Sequence, residues 1–152
     1  MTERPSTTPP TLRDGWLARP LVEAGVLSPT QVHEAEGDGA GSLWEVAVRR
    51  GWARSEGIVA ALAAAHRVPV AELASADPRL TPILPETVAR KYRVVPLAAD
   101  SGAITLATAD PRDLAAEQEL RFLTGREVAF AVASPEGIAA RLDELYRPEA
   151  SV

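Results

Sequence analysis

Apolar positions in the first half of the chain recur at helical spacing between glycine and proline punctuation. From Ser55 to Ala65, Ile58, Leu62 and Ala65 fall three and four residues apart, which predicts one buried helix face with Ser55 as its cap. Ser42-Leu43-Trp44-Glu45 reads as a capping box that opens a short helix closing at Gly51. Ser28-Pro29-Thr30-Gln31 is a second start signal, with Pro at the first helical position. Its helix ends in Gly37-Asp38-Gly39-Ala40-Gly41. A first helix over about 12–24 ends near Gly25, and Pro20 predicts a break within it.

After His66 the pattern changes. Val68-Pro69-Val70 predicts a short edge strand, where Pro is tolerated. Pro78, Pro82 and Pro85 mark an irregular connector over 76–85, the expected seam, followed by a helix over 86–92. The β-rich runs 93–98 and 103–108 flank Asp100-Ser101-Gly102 and predict a hairpin. A helix over 113–124 stops at Gly125, with Leu120 and Leu123 directed at the sheet and Glu117 pairing with Arg121 in solvent. A third strand over 127–133 and a last helix from Ser134-Pro135-Glu136 to about Tyr146 complete the order.

The pattern predicts an α+β fold. An N-terminal bundle of short helices precedes a small α-β-β-α-β-α subdomain with a mainly antiparallel three-stranded sheet. The expected divisions are a disordered leader over 1–11, a helical part over 12–67, an α/β part over 68–147 and a disordered tail over 148–152.

Composition narrows the function classes. Aromatics are 5% of the 152 residues, so the core is built mostly from Ala, Val and Leu. A net charge of −5 argues against nucleic acid and against an anionic membrane surface. With 0 Cys, disulfides and thiolate metal sites are excluded. No apolar run is long enough to span a bilayer, and 1–10 is Thr- and Pro-rich without the apolar core of a secretory signal. No direct membrane insertion is expected. His33 and His66 are the 2 histidines and lack partners at ligand spacing. Asp110 with Asp113, and Asp143 with Glu144, read as caps or solvated faces. No Gly-x-x-x-x-Gly-Lys-Ser/Thr loop and no nucleophile–base constellation occurs, so the chain is expected not to be an enzyme.

Two segments echo one another. Leu21-Val22-Glu23-Ala24-Gly25 is followed by Val32, and Ala47-Val48-Arg49-Arg50-Gly51 is followed by Ile58 at the same offset. Each predicts a short helix, a Gly turn and a second helix. These echoes, with Leu84-Pro85-Glu86 through Val95-Pro96-Leu97, Ala109-Asp110-Pro111-Arg112-Asp113 and Glu119-Leu120-Arg121-Phe122-Leu123-Thr124-Gly125, resemble the MshE-type N-terminal domain of type II secretion (general secretion pathway) and type IV pilus assembly ATPases. The resemblance covers about 12–146.

The family pattern is a doubled Arg-Leu-Gly-x-x-Leu-Val-x-x-Gly followed by a helix ending near Gln, and it can bind cyclic di-GMP. Carried onto this chain, the Arg positions become Trp16 and Ser42, and the Gly positions become Ala18 and Trp44. The terminal Gln positions become Gly39 and Ala65, and Glu36 replaces a second apolar residue after Val32. What remains of the ligand motif is Leu17, Leu21, Val22, Gly25, Leu43, Val48 and Gly51, with Ile58 and Leu62 behind it. Losing both arginines removes the forked donors best suited to phosphate and guanine, which disfavours bound cyclic di-GMP; no other cofactor is indicated. The resemblance therefore implies a cytoplasmic docking module. Its partner would be the cytosolic part of an inner-membrane secretion platform protein, or an assembly ATPase, with recruitment to the inner face of the membrane. Arg49 and Arg50 form the candidate docking patch. The alternative is a cyclic di-GMP sensor, in which Trp16 or Trp44 stacks on guanine.

Overall fold

Glycine turns and capping side chains cut the first half of the chain into helices too short to stand alone. The structure, a computed structural model, describes residues 12–39 and 41–147. The expected leader and tail lie outside the described residues. The chain forms two compact units that meet in sequence between Ala65 and His66.

In the first unit a 3-10 turn, Gly15–Leu17, leads into α1, Ala18–Glu23. Pro20 does not break α1. It occupies the first turn, where backbone N–H groups have no intrahelical acceptor, so the division falls ahead of it. Helix α2, Pro29–Glu36, opens with a complete capping box: Gln31 N–H donates to Ser28 Oγ at 3.1 Å, and Ser28 N–H donates to Gln31 Oε1 at 2.9 Å. Helix α3, Leu43–Arg49, is capped by Ser42, whose Oγ accepts from Glu45 N–H at 3.0 Å. Helix α4, Ser55–His66, starts at Ser55 itself rather than after it. Leu17, Leu21, Leu43, Ile58 and Leu62 are fully buried.

In the second unit the proline-rich stretch is not a seam. Pro78 opens a 3-10 turn, Pro85 precedes α5 (Glu86–Tyr92), and Ala76, Leu80 and Leu84 are buried. Arg93, in the left-handed region at φ 54°, ends α5 and delays β1 to Val95–Ala99. The hairpin forms as expected. Strand β2, Ala103–Thr108, pairs antiparallel with β1, and Asp100 Oδ1 accepts from the N–H groups of Gly102 and Ala103 at 2.9 and 2.8 Å.

Helix α6, Leu114–Thr124, is capped by Asp113 and returns the chain to the end of the sheet where β2 began. Strand β3, Glu127–Val132, therefore runs parallel to β2. The sheet, in order β1-β2-β3, is thus mixed rather than mainly antiparallel, because a helical crossover and not a hairpin joins its last two strands. Val68-Pro69-Val70 contributes only a bridge from Val70 to Val132 on the outer edge of β3. Helix α7, Pro135–Leu145, buries Ile138 and Leu142.

On α6, Ala116 and Leu120 face the core, whereas Leu123 sits on the shoulder at 46% exposure. Arg121 approaches Glu127 at 3.6 Å rather than Glu117, because the left-handed Gly125 turn brings the start of β3 back beside the last helical turn.

Candidate functional site: the duplicated glycine turns

The echo in sequence is an echo in geometry. At the first turn, Val26 and Leu27 N–H donate to the Leu21 carbonyl at 2.9 and 3.2 Å. At the second, Trp52 and Ala53 N–H donate to the Ala47 carbonyl at 2.8 and 3.3 Å. Gly25 (φ 76°) and Gly51 (φ 74°) supply the left-handed residue that each helix end needs. A side-chain carbon at either glycine would meet nothing within 4 Å, so both turns face open space.

The structure separates the motif positions by role. Leu17, Leu21 and Leu43 are buried and act in packing. Val22 is half-buried, Val48 is exposed, and Gly25 and Gly51 are exposed at the two turns. None of these seven lines the shallow cleft formed by Val26, Trp52, Ala53, Arg54, Glu56 and Gly57, although the residues directly after both glycines do. Arg50 lies over the Trp52 ring, its guanidinium carbon 5.4 Å from the centroid.

The polar groups near the motif are engaged within the unit. Trp44, which stands where the family has Gly, is buried, and its indole N–H donates to Ser55 Oγ at 3.1 Å. At the start of the second motif copy, the Asp14 carboxylate accepts from Ser42 Oγ at 2.9 Å, Leu43 N–H at 2.6 Å and Trp44 N–H at 3.2 Å. The backbone donors there already hold an anionic group from the chain itself. Arg49 and Arg50 converge on Asp38 at 2.5 and 2.9 Å, so the candidate docking patch is partly neutralised. Hydrogen bonds from Arg50, and then from Arg49, hold the Asp38 carboxyl below the usual carboxylate range.

Asp14 and Asp38 were not legible as site residues. Asp14 acts on Ser42 from 28 residues away, across α1 and α2, which no local pattern signals, and Asp38 lies in a run that reads only as a glycine-rich turn. The acidic pairs do what caps and surface pairs do: Asp113 caps α6, Asp143 meets Arg90 at 3.0 Å and Glu144 meets Arg141 at 2.6 Å. Burial pushes the Asp110 carboxyl up. Among the described residues, no group of three or more His, Asp or Glu could hold a metal ion, and no helix is long and apolar enough to cross a membrane.

A duplicated helix–glycine-turn–helix unit followed in sequence by a small helix-covered mixed sheet is the fold of the N-terminal domains of secretion and pilus ATPases. The chain belongs to the MshEN domain family, whose model matches residues 66–152. It is 26% identical over 137 residues to the type IV pilus assembly ATPase PilB of Myxococcus xanthus (strain DK1622), a match covering 87% of this chain. The chain spans 24% of that relative's length. Among solved structures, that of MshE with cdg is similar at TM-score 0.70 and 25% identity, over 86% of this chain and 98% of that one. The N-terminal domain of XpsE shares the fold at TM-score 0.61 and 17% identity, over 94% of this chain and 97% of that one.

Proposed function

We propose that this chain is a non-catalytic docking and regulatory module of a type II secretion or type IV pilus machine, acting in the cytoplasm through protein contacts. Its partner is the cytosolic part of an inner-membrane platform protein, or an assembly ATPase. One observation carries the reading: Asp14 already occupies the backbone donors at the start of the second motif copy, where a phosphate-bearing ligand would need them free. A nucleotide phosphate arriving there meets a carboxylate instead of an arginine. Trp44, buried on Ser55, is not free to stack on a base.

Two observations favour a second reading, a cyclic di-GMP sensor. The turns at Gly25 and Gly51 are open, with Trp52 and Arg54 beside the second. The similar MshE structure carries cdg, read here as cyclic di-GMP.

Isothermal titration separates the two. The docking reading expects no heat from cyclic di-GMP, together with saturable binding of the purified cytosolic domain of the platform protein. A cyclic di-GMP dissociation constant at or below about 1 μM, worth about −8 kcal/mol, refutes it.

A further inference from the structure

We propose that the outer face of α6 is a self-association surface, occupied by α6 of a second copy of this chain. Helix α6 turns Ala116 and Leu120 inward. Its opposite side presents Leu114, Ala115, Gln118 and Phe122, all exposed and none charged. Leu114 is 66% exposed and Phe122 is 82% exposed. Leu114, Gln118 and Phe122 stand four residues apart, so they form one continuous row along the helix. Charge is confined to the flanks, with Glu117 and Arg121 on one and Glu119 on the other.

The row is complementary to itself. Laid antiparallel about Gln118, two copies place Leu114 of each against Phe122 of the other, with the smaller Ala115 near the crossing. Two-fold symmetry sets like flanks side by side, so Arg121 of each copy comes beside Glu117 of the other. The Arg121 contact within the chain, 3.6 Å to Glu127, is loose enough to exchange. The opposite flank brings the two Glu119 side chains together, which opposes association.

A patch of a few hundred Å² is on the scale of an interaction site, but it falls below the about 800 Å² per partner of a standard interface. The association is therefore weak and concentration-dependent, with a dissociation constant on the order of 100 μM.

Sedimentation equilibrium of the 152-residue chain, from about 5 to 500 μM, tests this. The expected result is a monomer–dimer equilibrium that Phe122→Glu weakens at least about tenfold. Glu119→Gln tightens it. Arg121→Glu weakens it, and Arg121→Glu combined with Glu117→Arg restores it. Circular dichroism and the unfolding midpoint of Phe122→Glu should match the parent, because the side chain is exposed. A chain that stays monomeric throughout the range, or a dimer indifferent to Phe122→Glu, overturns the proposal. Neither outcome bears on the docking reading, which the titrations above test separately.

Discussion

Replacing Asp14 by Ala should destabilise the first unit through α3, because one carboxylate serves three donors at that helix start. Leu43 and Trp44 contribute buried N–H groups and Ser42 a buried hydroxyl, so water does not readily take over. Hydrogen bonds to a charged group contribute about 1.5–3 kcal/mol, and an ordinary N-cap about 0.5–2 kcal/mol. Ser42 still caps Glu45 N–H after the substitution, which limits the loss. The expected cost is about 2 kcal/mol, a large share of the roughly 5–15 kcal/mol that holds a domain together. Asp14→Asn keeps one acceptor but turns an amide donor toward donors, and should cost about half as much. Glu45→Ala, exposed in the first turn of α3, should cost only a few tenths of a kcal/mol. Urea unfolding followed by tryptophan fluorescence reads the effect, since Trp44 sits directly at the capped turn. If Asp14→Ala unfolds within about 0.5 kcal/mol of the parent, the cap is not what holds α3, and the argument that Asp14 closes the motif loses its basis.

Leu120→Ala should cost roughly 2–5 kcal/mol, because Leu120 is fully buried under α6, whereas Phe122→Ala should leave the urea midpoint unchanged in dilute solution. Gly25→Ala and Gly51→Ala should each cost about 1–2 kcal/mol from backbone strain alone, since both sites are open; unequal midpoints would show that the two turns are not equivalent. Asp38 has a carboxyl pKa lowered from 3.8 when folded, so its contribution is present above that value and fades as pH falls through the lower folded pKa; Asp38→Asn should flatten that limb of an acid-unfolding curve.

The sequence by itself determined the local elements and the duplication. Capping side chains at Ser28, Asp113 and Ser134 and left-handed glycines at 25, 51 and 125 act within a few residues, so their geometry is written where they stand. The repeated turn is legible for the same reason: the Leu21 and Ala47 carbonyls accept from donors five and six residues on. The α+β class and the family were likewise readable from element order and motif spacing.

Tertiary structure decided whatever joins distant residues. The direction of β3 follows from how α6 crosses the sheet, which periodicity does not encode. Pro78 and Pro85 look like a seam in sequence, but the chain between them buries Leu80 and sets Leu84 in the second core. Trp44 reads as an obstacle in a ligand site until Ser55 and the core claim it, and Arg49 with Arg50 reads as a free basic patch until Asp38 meets both. Above all, Asp14 carries no local sign of its role. Its three bonds exist only because folding brings a loop to the start of a helix some thirty residues further on, and pairing of that kind is a property of the packed chain.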